Sequence, residues 1–215
     1  SWENVGNPFL INETDLGSDK FLFITASEVE LITGFENTDT ISFKANISDR
    51  PGNMTEGSIS SDRIVIDQTL PTINYVSYKS NFSDTTLATT GHEITLKIKI
   101  DENIEIPAMT ISNQDAEIFD LGNNIWIGKH IMEESSSEGA ISFQVAQIQD
   151  VAGNPTDGTN VTTDGSIVIF DSRPPILNNV RIKSDNSDST WAKVGDSIIV
   201  NFKTNEYLIQ QSATI

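Results

Sequence analysis

The chain repeats itself, and the repeat limits its fold more than any other feature. Residues 64–111 align with 168–215 at a constant offset of 104 without a gap, and 16 of the 48 pairs are identical, among them Asp67/Asp171, Lys79/Lys183, Gly91/Gly195 and Glu102/Glu206. An ungapped match of that length means that one local structure is built twice. A second match joins the remaining parts. Ser42-Phe43 leading to Asp49-x-x-Gly52-Asn53 resembles Ser142-Phe143 leading to Asp150-x-x-Gly153-Asn154, and each is followed by a polar stretch and an Ile-Val-Ile run. The chain therefore divides into the end of one unit (1–66), a complete unit (67–170) and the start of a third (171–215). These bounds imply a longer parent polypeptide, because half a unit leaves strand edges and apolar faces open. The alternative is that the terminal halves complete each other between neighbouring molecules.

Within the complete unit, alternation, β-branched enrichment and Gly/Asn/Asp/Ser punctuation predict seven strands, near 72–79, 92–100, 107–112, 115–119, 125–131, 140–148 and 164–170. The second has the clearest period of two: Ile94, Leu96, Ile98 and Ile100 share one face and Thr95, Lys97 and Lys99 the other. No window carries a useful helical stripe. Seven short strands in about a hundred residues predict an all-β chain of immunoglobulin-like β-sandwich domains in tandem, the terminal ones partial. Cysteine is absent, so apolar packing alone must join the sheets.

The junctions Asp67-Gln-Thr-Leu-Pro71-Thr-Ile73 and Asp171-Ser-Arg-Pro174-Pro175-Ile176, the segments Gly91-His-Glu-Ile-Thr-Leu and Gly195-Asp-Ser-Ile-Ile-Val, and the late Asp150-Val-Ala-Gly-Asn154 together carry a family resemblance. The chain resembles the tandem bacterial Ig-like (Big-type) repeats of microbial adhesins, surface-layer proteins and other exported proteins. Leu70 departs from the usual proline pair. The resemblance implies an extracellular, cell-surface module that is structural or adhesive, serving in a stalk or in a surface-layer or sheath scaffold. Its partners would be the neighbouring Ig-like domains and, in a lattice or filament, further copies of itself; a surface glycan or protein ligand is left open.

Charge narrows the partners further. With 31 acidic against 13 basic residues the net charge is -18, which repels nucleic acid and anionic lipid and favours cations. Every apolar run is strand-sized, so nothing in this segment is expected to enter a membrane. Alternating strand direction brings the start of the first strand, the loop after the second and the loop after the sixth to one end of the unit. Asp67, Asp101 with Glu102, and Asp150 with Asn154 should converge there, and Asp171 and Glu206 repeat the arrangement at the next junction. Hard oxygen ligands of this kind suit calcium, Ca2+, which takes about 6–8 oxygens. The same Asp-x-x-Gly-Asn pattern also makes a turn in which Asp accepts backbone N–H groups. Both readings stand at this point.

Signals for catalysis are missing. The chain has two histidines, and His92 aligns with Asp196 as a variable, solvent-facing position would. Neither a nucleophile elbow nor a zinc-binding helix pattern is present, and acidic pairs such as Glu133-Glu134 are expected on so acidic a surface. No enzymatic activity is expected. Trp126 and Trp191 are assigned to core packing; a carbohydrate-binding accessory region of a secreted enzyme, using an exposed aromatic, is the rival reading. Asn12, Asn46, Asn53, Asn81 and Asn160 head sequons that would accept glycans in a suitable host.

Overall fold

The computed structural model describes residues 17–208 and 212. Among them one short helix, α1 (Ala26–Glu30), precedes 18 strands. The first four are β1 (Thr40–Ile41), β2 (Asn46–Ser48), β3 (Met54–Glu56) and β4 (Ile64–Val65). The central unit holds β5 (Ile73–Ser80), β6 (Leu87–Ala88), β7 (Glu93–Ile100), β8 (Ala108–Ile111), β9 (Gln114–Asp115) and β10 (Glu117–Asp120). It continues with β11 (Ile125–Ile131), β12 (Gly139–Ala140), β13 (Phe143–Ala146), β14 (Ile148–Gln149), β15 (Pro155–Thr156) and β16 (Ile169–Phe170). Last come β17 (Leu177–Ser184) and β18 (Ile198–Thr204). The described residues are all-β apart from α1, which Thr25 and Glu28 start with a reciprocal capping box.

An antiparallel four-stranded sheet in the order β10-β11-β7-β5 forms one side of the central unit. Opposite it lie β13-β8-β9 and β12-β16-β6, the last closed by a parallel pairing of Ile169 with Leu87 and Phe170 with Ala88. The period of two in β7 explains the core between them. Ile94, Leu96, Ile98 and Ile100 are each 0% exposed and meet Val76, Met109, Ile111, Val145 and Phe170 in one cluster. Complete burial of each such side chain contributes about 1.5–3 kcal/mol. Gly128 is required on β11, because a Cβ there would lie 2.9 Å from the Met109 sulfur.

Several predicted strands are shortened or divided. The strand predicted over 115–119 becomes β9 and β10, and that over 140–148 becomes β12, β13 and β14. The final strand, predicted from 164, is ordered as a strand only at Ile169–Phe170. Here residues 163–166 serve β5 largely through side chains: Val76 N–H donates to Thr163 Oγ1 at 2.9 Å and Tyr78 N–H to Ser166 Oγ at 3.1 Å, beside one backbone bond from Thr163 N–H to the Val76 carbonyl at 2.9 Å. Trp126 packs against the core as expected. Trp191 does not; it is 72% exposed on the C-terminal hairpin. No helix among the described residues is long and apolar enough to cross a membrane.

The repeat is reproduced in three dimensions. β5 and β17 have bounds 104 residues apart, and Ser80↔Ile94, Tyr78↔Leu96 and Ile73↔Ile100 recur as Ser184↔Ile198, Ile182↔Val200 and Leu177↔Thr204. The second match also holds, with Thr40↔Val65 repeated as Ala140↔Ile169 and Ile47↔Thr55 as Ile148↔Thr156. Between these pairs the offset grows from 100 to 101. The extra residue is Gln147, which takes φ 52 and so adds one residue to the strand without moving the pairing on either side.

Candidate metal centre

Three of the predicted residues come together. One carboxylate oxygen each of Asp67, Glu102 and Asp150 lies within 4.8 Å of the others. Asp67 follows β4 in the link between units, Glu102 follows β7, and Asp150 follows β14, held there by an antiparallel bridge to Ile104. The alternating strand directions therefore bring these chain positions to one end of the central unit, as expected.

Each carboxylate has a different environment. Asp150 is 0% exposed, and its Oδ1 accepts the N–H groups of Ala152 at 2.9 Å and Asn154 at 2.8 Å. Its Oδ2 accepts Asn154 Nδ2 at 2.7 Å. Burial alone would raise its pKa, but the donors of Asn154, Ala152 and Gly153 outweigh that and hold it below the usual carboxylate range. Two bonds fill the lone pairs of Oδ1, so only Oδ2 has capacity left for a cation. Glu102 is half-buried and accepts no hydrogen bond from a described residue. Burial, followed by repulsion from Asp150, Asp67 and Asp101, raises its pKa. Asp67 Oδ1 accepts Thr69 N–H at 3.0 Å.

The other predicted ligands serve elsewhere. Asn154 turns its nitrogen toward the cluster, donating to the Asp67 carbonyl at 3.0 Å, and so braces the link between units. Asp101 Oδ1 accepts Thr72 N–H at 2.7 Å, and Asn205 Oδ1 takes Ile176 N–H at the same distance in the next repeat. An amide oxygen replaces the carboxylate without altering the bond, which makes the position one that anchors the first strand. Asp171 Oδ1 accepts Arg173 N–H at 3.0 Å, repeating the Asp67 turn, and Glu206 is half-buried. Among the described residues Asp171 and Glu206 belong to no group of three carboxylates. The turn reading of Asp-x-x-Gly-Asn holds at both copies: Asn53 Nδ2 donates to Asp49 Oδ2 at 2.7 Å, and Gly52 and Gly153 take φ 98 and φ 95.

Two features escaped the sequence. At each junction a side chain of the preceding segment holds the link: Gln68 N–H donates to Asn37 Oδ1 at 2.8 Å, and Ser172 N–H to Glu138 Oε2 at 3.2 Å. The clasping positions, 37 and 138, do not align in the repeat and differ in residue type, so no periodic signal marks them. His92 is also not a free surface position. It is half-buried against Phe82, with ring centroids 4.9 Å apart, and its Nδ1 accepts Thr89 N–H at 3.0 Å. Asp196 accepts Lys193 N–H at 2.9 Å in the equivalent turn, so the two residue types share one acceptor role. Of the sequons, Asn12 lies outside the described residues, while Asn81 Oδ1 accepts Glu93 N–H at 3.1 Å.

No family model, characterised protein or solved structure matches the chain.

Proposed function

We propose that this chain is an extracellular scaffold segment of a microbial surface protein, a run of immunoglobulin-like sandwiches whose junctions set reach and stiffness. The order β10-β11-β7-β5 facing β13-β8-β9 supports the sandwich assignment, since it is the arrangement of strands D-E-B-A and F-C in immunoglobulin-like domains. The observation that carries the functional reading is the repeated clasp: a link residue at each junction is hydrogen-bonded to the segment before it. Clasped links restrict hinge motion, and a unit that contacts mainly its neighbours works by length and rigidity.

Beside the first clasp, the Asp67, Glu102 and Asp150 carboxylates form the place where calcium would act in this reading. An ion there would offset the repulsion around Glu102 and tie the link to two loops of the central unit. Thermal unfolding and small-angle scattering with Ca2+ and with chelator test the proposal. A higher melting temperature and a stiffer, more extended scattering profile are expected with Ca2+ than with chelator; an unchanged maximum dimension and melting temperature would remove the ion from the account. Asn37→Ala with Glu138→Ala tests the clasps. Broader interdomain distances are expected, and an unaltered scattering profile would reject stiff junctions.

The exposed Trp191 and Tyr207 favour a second reading as a carbohydrate-binding accessory region. Glycan-array binding that disappears in Trp191→Ala would support it.

A further inference from the structure

The basic residues of the central unit are gathered on one surface. Residues 67–170 hold 15 acidic side chains and four cationic ones, Lys79, Lys97, Lys99 and Lys129. Strand alternation sends all four to the outer face of the β10-β11-β7-β5 sheet: Lys97 and Lys99 alternate with the buried Leu96, Ile98 and Ile100, Lys79 lies between the buried Tyr78 and Ser80, and Lys129 follows the buried Gly128. The register sets them side by side. Thr95 stands between Lys79 and Lys129, Lys97 between Ser77 and Ile127, and Lys99 between Tyr75 and Ile125. Lys129 is engaged, with Glu93 at 2.9 Å, Glu117 opposite it in register and the Phe119 ring 5.9 Å away. Among the described residues Lys79, Lys97 and Lys99 have no carboxylate oxygen within 4.0 Å. The pattern returns in the next repeat. Lys79 and Lys99 have identical counterparts in Lys183 and Lys203, and Arg181 pairs with Asn201 where Ser77 pairs with Lys97, so that cation crosses to the neighbouring strand and stays on the face.

We infer that this outer face binds the acid groups of a linear polysaccharide, with Lys79, Lys97 and Lys99 as the cationic contacts. Charge complementarity carries the assignment: three cations without a carboxylate partner, on a chain of net charge -18, make a local positive surface that an anion can neutralise. The neighbours suit a sugar. Ile125, Ile127 and Phe119 offer apolar surface to a pyranose ring, and the Ser77 and Thr95 hydroxyls can bond to its hydroxyl groups. Recurrence of the cations favours a polymer, because a ligand whose charges also repeat engages successive units at a high effective concentration. A second copy of the chain offers no mating surface of the same kind. On the opposite side of the central unit, the outward row formed by Gln144, Thr110 and Asp115 has one carboxylate to set against three lysines. Repulsion between two bodies of the same high negative charge opposes that contact further.

Affinity electrophoresis of the full chain, with chelator present and polygalacturonate, heparin or neutral dextran in the gel, tests the assignment. Retardation by an acidic polymer and none by dextran is expected, and the carboxylate and sulfate arms tell which acid group is preferred. Binding should weaken steeply between ~50 and ~200 mM salt, as counterion release requires. Lys97→Glu with Lys99→Glu should weaken it about tenfold or more, since two attractive contacts become repulsive. The same pair should leave thermal unfolding of the central unit in place, because neither lysine is buried or ion-paired. Arg63→Glu with Lys193→Glu alters the net charge equally away from the face and should bind as the unaltered chain does. No retardation by either acidic polysaccharide, or an equal loss in that control, would overturn the proposal. So would equally tight binding of single-stranded DNA, or self-association of the chain that the Lys97 and Lys99 substitutions abolish, either of which would reassign the face to a different partner.

Discussion

The hairpins β5–β7 and β17–β18 share their register beside the turn and at the far end, carry their bulges at different residues, and have the same following turn and nearly opposite surroundings. Both turns are closed by an aspartate: Asp84 Oδ1 accepts Thr86 N–H at 3.0 Å and Asp188 Oδ1 accepts Thr190 N–H at 3.0 Å. Yet Leu96 is 0% exposed and its equivalent Val200 is 43% exposed. The pairing of two strands is therefore a local property, set by the turn and the alternation, whereas burial depends on strands that arrive up to 90 residues later in the chain. The comparison separates what a short stretch of sequence encodes from what only a complete unit supplies.

The strongest way to break that comparison is to truncate the same position in both hairpins. Leu96→Ala should destabilise the central unit by about 2–5 kcal/mol in urea unfolding, since it opens a cavity in a closed core. Val200→Ala should cost under about 1 kcal/mol, because little around it is lost. Equal costs would mean that β17–β18 is covered in solution.

Next in size is the acidic turn, where Asp150→Ala removes a fully buried acceptor from the N–H groups of Ala152 and Asn154 and should cost about 1–3 kcal/mol. Asp49→Ala removes the corresponding bonds from Asn53 in the exposed copy, where Pro51 offers no N–H in place of Ala152, and should leave the unfolding of the central unit unmoved. The pH dependence follows from the direction of the shift. The Asp150 pKa is lowered, so its contribution is fully present above the ordinary aspartate range and is lost as pH falls through the lowered value. Asp150→Asn should accordingly flatten the acid limb of a stability-versus-pH curve.

Glu102 shifts the other way. Its raised pKa gives stability that is present below the ordinary glutamate value and lost as pH rises through the raised one. Glu102→Gln should therefore make the metal-free chain slightly more stable at neutral pH and remove any Ca2+-dependent gain in melting temperature. The smallest effect is expected at the shared turn: His92→Asp, which installs the acceptor used by Asp196, should change stability by under about 1 kcal/mol. A large loss would show that the stacking of His92 on Phe82 matters more than the acceptor.

How far the sequence reached depends on the kind of signal. The offset and the alternation of Ile94, Leu96, Ile98 and Ile100 located both hairpins and their inward face. Strand direction was enough to place Asp67, Glu102 and Asp150 at one end. The sequence could not reveal that Asn154 would present its nitrogen, or that Asp101 would be occupied by Thr72, because an amide or carboxylate has the same letter whatever it bonds. Strand length was overestimated near 164 because Thr163 and Ser166 support β5 by side-chain bonds, a use of polar residues that has no periodicity. Trp191 lies outside the core because an apolar residue type does not by itself fix a buried position: its counterpart Leu87 is itself 44% exposed.

The single added residue at Gln147 changes the parity of its strand. Val145 and Ile148 both point inward, at 0% and 1% exposure, although an odd separation along a regular strand would set them on opposite sides. In the first segment the corresponding Ala45 and Ile47 are two apart and need no correction. One peptide unit of left-handed backbone thus restores parity, and a repeat of this kind can gain a codon in mid-strand while every downstream side chain keeps its address.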